Sequence, residues 1–168
     1  MSVIESHHMV DAIRRVQRMD LRQREQLAEE VHARQPQLFF SVLALQRHGA
    51  TLEQLEVVLN LLLVFHEAMK GSGLVWPVIS EAVQERCLAR IAGRLSYAEG
   101  LTPELHAQAA SDASSNPSEP VLLAYAIATL QDEGLAGIKT EAEKFLMLAA
   151  LNLVACIAET APQRVRPK

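Results

Sequence analysis

At 168 residues, with a net charge of −4, 49% hydrophobic residues and only 4% aromatics, the chain fits one domain that can bury an apolar core without disulfide or metal staples. Its apolar mass is Leu, Ala and Val without alternating β-branched runs, which excludes a strand-rich fold and predicts an all-α one. The acidic balance excludes general nucleic-acid binding, which needs a basic footprint, although residues 1–50 carry seven Arg against six acids.

In chain order, a charged, amphipathic first helix is predicted over Ile4 to Met19, with no apolar core of the kind a signal peptide needs. Within it, "ESHHMVD" offers His7 with Asp11 and Glu5 with His8 at spacings that can share a metal on a helix face, but it has no cysteine and sits at a terminus, which argues against a built site. Asp20 with Gln23 forms a capping pair for a second helix that runs to Pro36. Arg14, Arg18 and Arg22 follow a four-residue step across this junction. Pro36 suits the first turn of a third helix, "PQLFFSVLALQRH", closed by Gly49.

Thr51 with Gln54 caps a fourth helix, "TLEQLEVVLNLLLVFHEAMK", which Gly71 ends. Its apolar run, and that of the last helix, are too short to span a bilayer, which takes about 20 apolar residues. They read as central helices of a protein without membrane spans, surrounded by other helices. His66 and Glu67 resemble the start of a His-Glu-x-x-His zinc motif, but Lys70 stands where the second imidazole is required. His66 falls on the stripe Leu52, Leu55, Leu59, Leu62, His66, Met69, which marks it as a core or interface residue bonded to a carbonyl or carboxylate. Glu67 falls on the line Glu53, Asn60, Glu67 and is expected to pair with Lys70 on the exposed side.

Pro77 is expected to open a long fifth helix reaching about Tyr97, with Arg86, Arg90 and Arg94 along one side. Such a row suits an anion or an acidic partner, or pairing with neighbouring Glu. A short sixth helix follows Thr102-Pro103, then "SDASSNPSE", which reads as mobile. Pro120 opens a seventh helix that stops near Gly134, and Thr140 with Glu143 caps the last, to about Glu159. Residues 1–160 are expected to form one helical domain, and 161–168 a flexible tail.

The hairpin from Pro36 through the fourth helix resembles the one from Pro120 through the last. The offset drifts from 85 at Gly49/Gly134 to 89 at Thr51/Thr140 and 92 at Asn60/Asn152, steps of about one turn each. The same offset matches Glu67 to Glu159 but His66 to Ala158. The fold is therefore read as an orthogonal or bundle-like array of about eight helices, with two pseudo-repeated hairpins joined by a long central helix. Asn60 and Asn152 fall at matching places in the two most apolar helices. There a lone amide needs a partner, either the other amide, a facing backbone or a symmetry mate.

Cys87 and Cys156, 69 residues apart in apolar stretches, suit buried free thiols in a reducing cytoplasm. No catalytic motif or cofactor-binding loop is present. Surplus apolar surface, with Trp76 and Phe39-Phe40 near helix starts, points to a protein that works through protein contacts and self-associates as a homodimer. Asn60, His66, Trp76 and Asn152 are its candidate interface or pocket residues. The alternative is a helical pocket for an apolar or anionic small molecule, with His66 or the Arg86–Arg94 row as polar handle; an enzyme with dispersed catalytic residues ranks third.

Overall fold

A computed structural model describes residues 2–99 and 119–163. Among these the chain is all-helical: α1 (Ser6–Gln17), α2 (Leu21–Arg34), α3 (Pro36–Leu43), a 3₁₀ turn (Ala44–His48), α4 (Leu52–Gly71), α5 (Glu81–Glu99), α6 (Pro120–Asp132) and α7 (Glu141–Thr160). The described residues contain seven α-helices; the expected helix after Thr102 lies outside them. No described helix is long and apolar enough to cross a membrane.

Local chemistry sets most of these boundaries. Asp20, Thr51 and Thr140 each accept a hydrogen bond from the backbone N–H three residues on, and the side chains of Gln23, Gln54 and Glu143 return the bond to the cap. Pro36 and Pro120 occupy first-turn positions, where a missing N–H costs nothing. Gly49 (φ 87°) and Gly134 (φ 70°) take the left-handed conformation that ends a helix without a Cβ penalty. In the first helix His8 is the capping partner, its Nδ1 accepting the Glu5 backbone N–H at 3.0 Å.

The core is built on α4. Nine consecutive residues, Leu61 to Met69, are buried, because α1, α2, α3, α6 and α7 all pack around this helix. α1 supplies Met9, Ala12 and Val16 at helical spacing, and α2 supplies Leu27 and Val31. The expected stripe on α4 holds at Leu55, Leu62, His66 and Met69, but Leu52 is exposed at the helix start. Helix α5 is not central: it packs along α7, and of its described side chains only Gln84 and Cys87 are buried.

Two tertiary ties have no local signal. Glu119 is the last residue of the stretch expected to be mobile, yet it is buried. Its carboxylate accepts the backbone N–H groups of Val3 (2.8 Å) and Ile4 (3.1 Å) and the Ser2 hydroxyl (2.9 Å), which fixes the N-terminal segment against the start of α6. Gln35, also buried, holds the segment before α5. Its Nε2 donates to the Pro77 carbonyl at 2.9 Å and its Oε1 accepts the Ile79 N–H at 2.9 Å. This is why α5 begins four residues later than Pro77 predicts: the tie keeps residues 74–80 out of the helix. The Ser80 hydroxyl then accepts the Val83 N–H at 3.3 Å in the manner of an N-cap. Gln35→Ala strands both backbone groups and is expected to cost about 2 kcal/mol in urea-denaturation stability, with the helical circular-dichroism signal retained before the transition.

Candidate functional site

The polar residues of α4 carry the site. Glu67 is 3% exposed, so the reading of an outward Glu67 is corrected. α1 covers that face of the helix, and a buried carboxylate then requires cations. Arg15 Nη1 of α1 meets Glu67 Oε2 at 3.0 Å, and Lys70 Nζ, three residues on, meets Oε1 at 2.7 Å. Lys70 also reaches Glu30 Oε2 on α2 at 3.1 Å, and Arg34 Nε, a turn further along α2, stands 3.5 Å from Glu30 Oε1. The chain of charges Arg15–Glu67–Lys70–Glu30–Arg34 thus joins three helices.

Partial burial works to raise the Glu30 carboxyl, but the Lys70 ammonium outweighs it and the net shift is down. Burial likewise opposes the charge on Lys70, yet the hydrogen bonds it donates to Glu67 and Glu30 raise it above its usual value. Burial lowers His66, against the pull of Glu30, so the imidazole is neutral at pH 7. Its Nε2 stands 3.7 Å from Glu30 Oε1 and has no hydrogen-bond partner. His66 is therefore in the core, as its stripe position implies, but without the bonded carbonyl or carboxylate expected of it.

Around this chain of charges the surface opens into a groove of about 660 Å³ between α1, α2 and the end of α4, floored by Met19 and Leu27. Arg14, Arg15, Arg18 and Lys70 line it, against the carboxylates of Asp11, Glu30 and Glu67. Arg15 and Lys70 are engaged with the last two. Arg14 and Arg18 make no ion pair among the described residues, and only Asp11 remains to offset them. The groove keeps an excess positive charge carried by two exposed guanidinium groups. On the far side of Lys70 lies a second cleft, bounded by α2, α4 and the segment before α5.

The other expected site residues lie apart from this groove. Asn60 is half-buried and accepts a hydrogen bond from Arg24 Nη2 at 3.2 Å, at the edge of a smaller acidic groove with Glu53, Glu56 and Glu133. Asn152 is buried and donates to the Gln84 carbonyl of α5 at 3.3 Å. The helices α4 and α7 pack together, but each amide bonds a different neighbour rather than the other. Trp76 is half-buried, its indole N–H donating to the Ile157 carbonyl at 3.1 Å.

Of the α5 arginines, Arg86 and Arg90 both bind Glu159 of α7, so their partner is intramolecular and comes from a distant helix rather than from neighbouring Glu81 or Glu85. Arg94 is exposed. Cys87 and Cys156 are free and buried beside this clamp, with the Cys87 thiol donating to Glu159 at 3.0 Å. Burial raises both thiols, so neither is a ready nucleophile at neutral pH.

Sequence reasoning noticed Arg14 and Arg18 as a row but missed Arg15, Glu30 and Lys70 as a group. A carboxylate inside the most apolar helix, next to a cation three residues on, was the available signal. Comparison with protein-family models, characterised proteins and solved structures finds no match to this chain.

The Arg86 and Arg90 guanidiniums, together with the Cys87 thiol, hold the Glu159 carboxyl down at about 2, against 4.5 ordinarily. A depressed carboxyl stabilises the fold above its unfolded value and loses that contribution as pH falls toward the folded one. The stability difference between wild type and Glu159→Gln is therefore expected to be constant above pH 5 and to shrink between about pH 4.5 and 2. Urea midpoints across that range measure it.

Proposed function

We propose that the protein is an interaction module that receives an acidic segment of a partner protein in the groove between α1 and α2. The observation that carries this reading is the pair of uncommitted guanidiniums, Arg14 and Arg18, beside a charge network that already neutralises its own carboxylates. Arginine binds carboxylates through paired hydrogen bonds, and a row spaced at one helical turn suits alternate acidic side chains of an extended segment, which share a face about 7 Å apart. The groove is open and its floor only partly apolar, which favours a segment of polypeptide over an enclosed small molecule. The raised thiols, the neutral unpaired His66 and the engaged Arg86 and Arg90 give no group poised for covalent or acid–base chemistry.

Self-association is a second reading, favoured by the acidic groove of Glu53, Glu56 and Glu133, which α2 and α4 share with the cationic one. A twofold pair sets each cationic groove against its partner's acidic one. Sedimentation equilibrium that finds only monomer at high micromolar concentration removes this reading and leaves the first intact. We also read the hairpins α3–α4 and α6–α7 as copies of one unit. In support, the matched residues Glu67 and Glu159 are each clamped by two cations, and the matched threonines each cap a 20-residue helix. Two free, buried thiols suit a reducing compartment, and we place the protein in the cytoplasm.

A fluorescein-labelled glutamate-rich peptide, followed by anisotropy, tests the first reading. Binding is expected to weaken by roughly tenfold or more when Arg14 and Arg18 are both changed to Glu, and to weaken steadily with added salt. Arg86→Glu is expected to leave it unchanged. Equal affinity of the Arg14/Arg18 variant and wild type excludes the groove as the binding site.

A further inference from the structure

Helix α5 is tied to α7 along one polar strip. Asn152 donates to the Gln84 carbonyl at 3.3 Å, and further along both helices Glu159 accepts the Cys87 thiol at 3.0 Å. Cys156 stands between Asn152 and Glu159 on α7, one turn from each, so this register sets it opposite Cys87. The two thiols interact with one another directly. Residues 69 apart in the chain are thus brought side by side by the packing of two helices.

The two cysteines are buried but differ in what lies around them. Cys87 lies beneath the side chains of Arg86 and Arg90, 57% and 55% exposed, which both bind Glu159. Arg90 Nη2 also donates to the Cys87 sulfur at 3.2 Å. On the other side of the pair, the Cys156 thiol donates to Asn152 Oδ1 of its own helix at 3.7 Å. A small oxidant therefore meets Cys87 first, when the exposed arginine side chains swing aside, and Cys156 is the thiol already in place behind it.

We infer that Cys87 and Cys156 form a reversible disulfide that locks α5 onto α7, with hydrogen peroxide as the oxidant. In the first step the Cys87 sulfur attacks one peroxide oxygen and the O–O bond breaks. The thiol proton passes through the Glu159 carboxylate to the departing hydroxide, which leaves as water, and Cys87 becomes a sulfenic acid. The Cys156 sulfur then attacks that of Cys87. The S–O bond breaks as the S–S bond forms, and the Cys156 proton leaves with the hydroxyl as a second water. Two thiols lose two electrons, and the peroxide gains them. Burial holds both thiols protonated at neutral pH, so the lock closes slowly, under sustained oxidant. Its effect falls on α5, which has few other buried side chains to hold it.

The test exposes the folded full chain to excess hydrogen peroxide, unfolds it in maleimide to block remaining thiols, and digests it with trypsin without reductant. Residues 87–90 are expected to be joined to residues 145–164 of the same chain through one sulfur–sulfur bond, and dithiothreitol to release them. The oxidised chain is expected to unfold at a higher urea concentration than the reduced one, because the bridge closes a long loop of the unfolded chain. Cys156→Ser is expected to stop at the Cys87 sulfenic acid, which dimedone captures, whereas Cys87→Ser leaves Cys156 a thiol. Recovery of both cysteines as thiols, separate oxidation of each to sulfinic or sulfonic acid, or bridges only between chains overturns the disulfide. A bridge that forms and lowers the urea midpoint overturns its role as a lock.

Discussion

The carboxylate of Glu67 is the constraint on which the arrangement turns. It lies inside a run of nine buried residues on α4, where an unpaired charge costs several kcal/mol and forces a partner to be found. Lys70, one turn along, provides one cation, and Arg15 of α1 provides the other. The pairing fixes α1 across α4 with the arginine-bearing side of α1 turned to the same opening as Lys70. Glu30 then draws α2 in from the opposite side of Lys70. Three helices are brought into register by charges at their edges, while Met9, Ala12, Val16, Leu27 and Val31 supply the apolar contact beneath.

The groove's electrostatic character follows from the same constraint. Glu67 and Glu30 need two cations, and the chain places three there, Arg15, Lys70 and Arg34. Arg14 and Arg18 are carried to the rim because they share α1 with Arg15. A charge network built to satisfy a buried carboxylate thereby leaves a positive edge in a chain whose net charge is −4. At the opposite hairpin Glu159 is clamped by Arg86 and Arg90 on α5, which leaves Arg94 alone of that row outside the clamp.

How far the sequence was legible depends on whether local or tertiary forces decide each element. Helix starts governed by a side chain and a backbone N–H three residues apart, at Asp20, Thr51 and Thr140, were readable because the whole interaction lies within one turn. The start of α5 was not, since Pro77 is compatible with a first helical turn and it is Gln35, 42 residues earlier, that holds the segment extended. Glu67 was misplaced for a related reason. A Glu and a Lys three residues apart look like a surface pair on any helix, and the burial comes from α1. Glu119 offered no pattern at all: its partners are backbone N–H groups more than a hundred residues away. The row Arg14–Arg18 was visible as spacing, but its availability depended on which carboxylates the fold had already engaged.

The most direct test is a double-mutant cycle on folding stability for Glu67→Gln and Lys70→Met, with Arg15→Met and Glu67→Gln as a second cycle. If Glu67 organises the network, each single change destabilises and the pair couples by about 1 kcal/mol or more. Additive effects in both cycles would contradict the account, because Glu67 would then be buried without depending on the cations that line the groove.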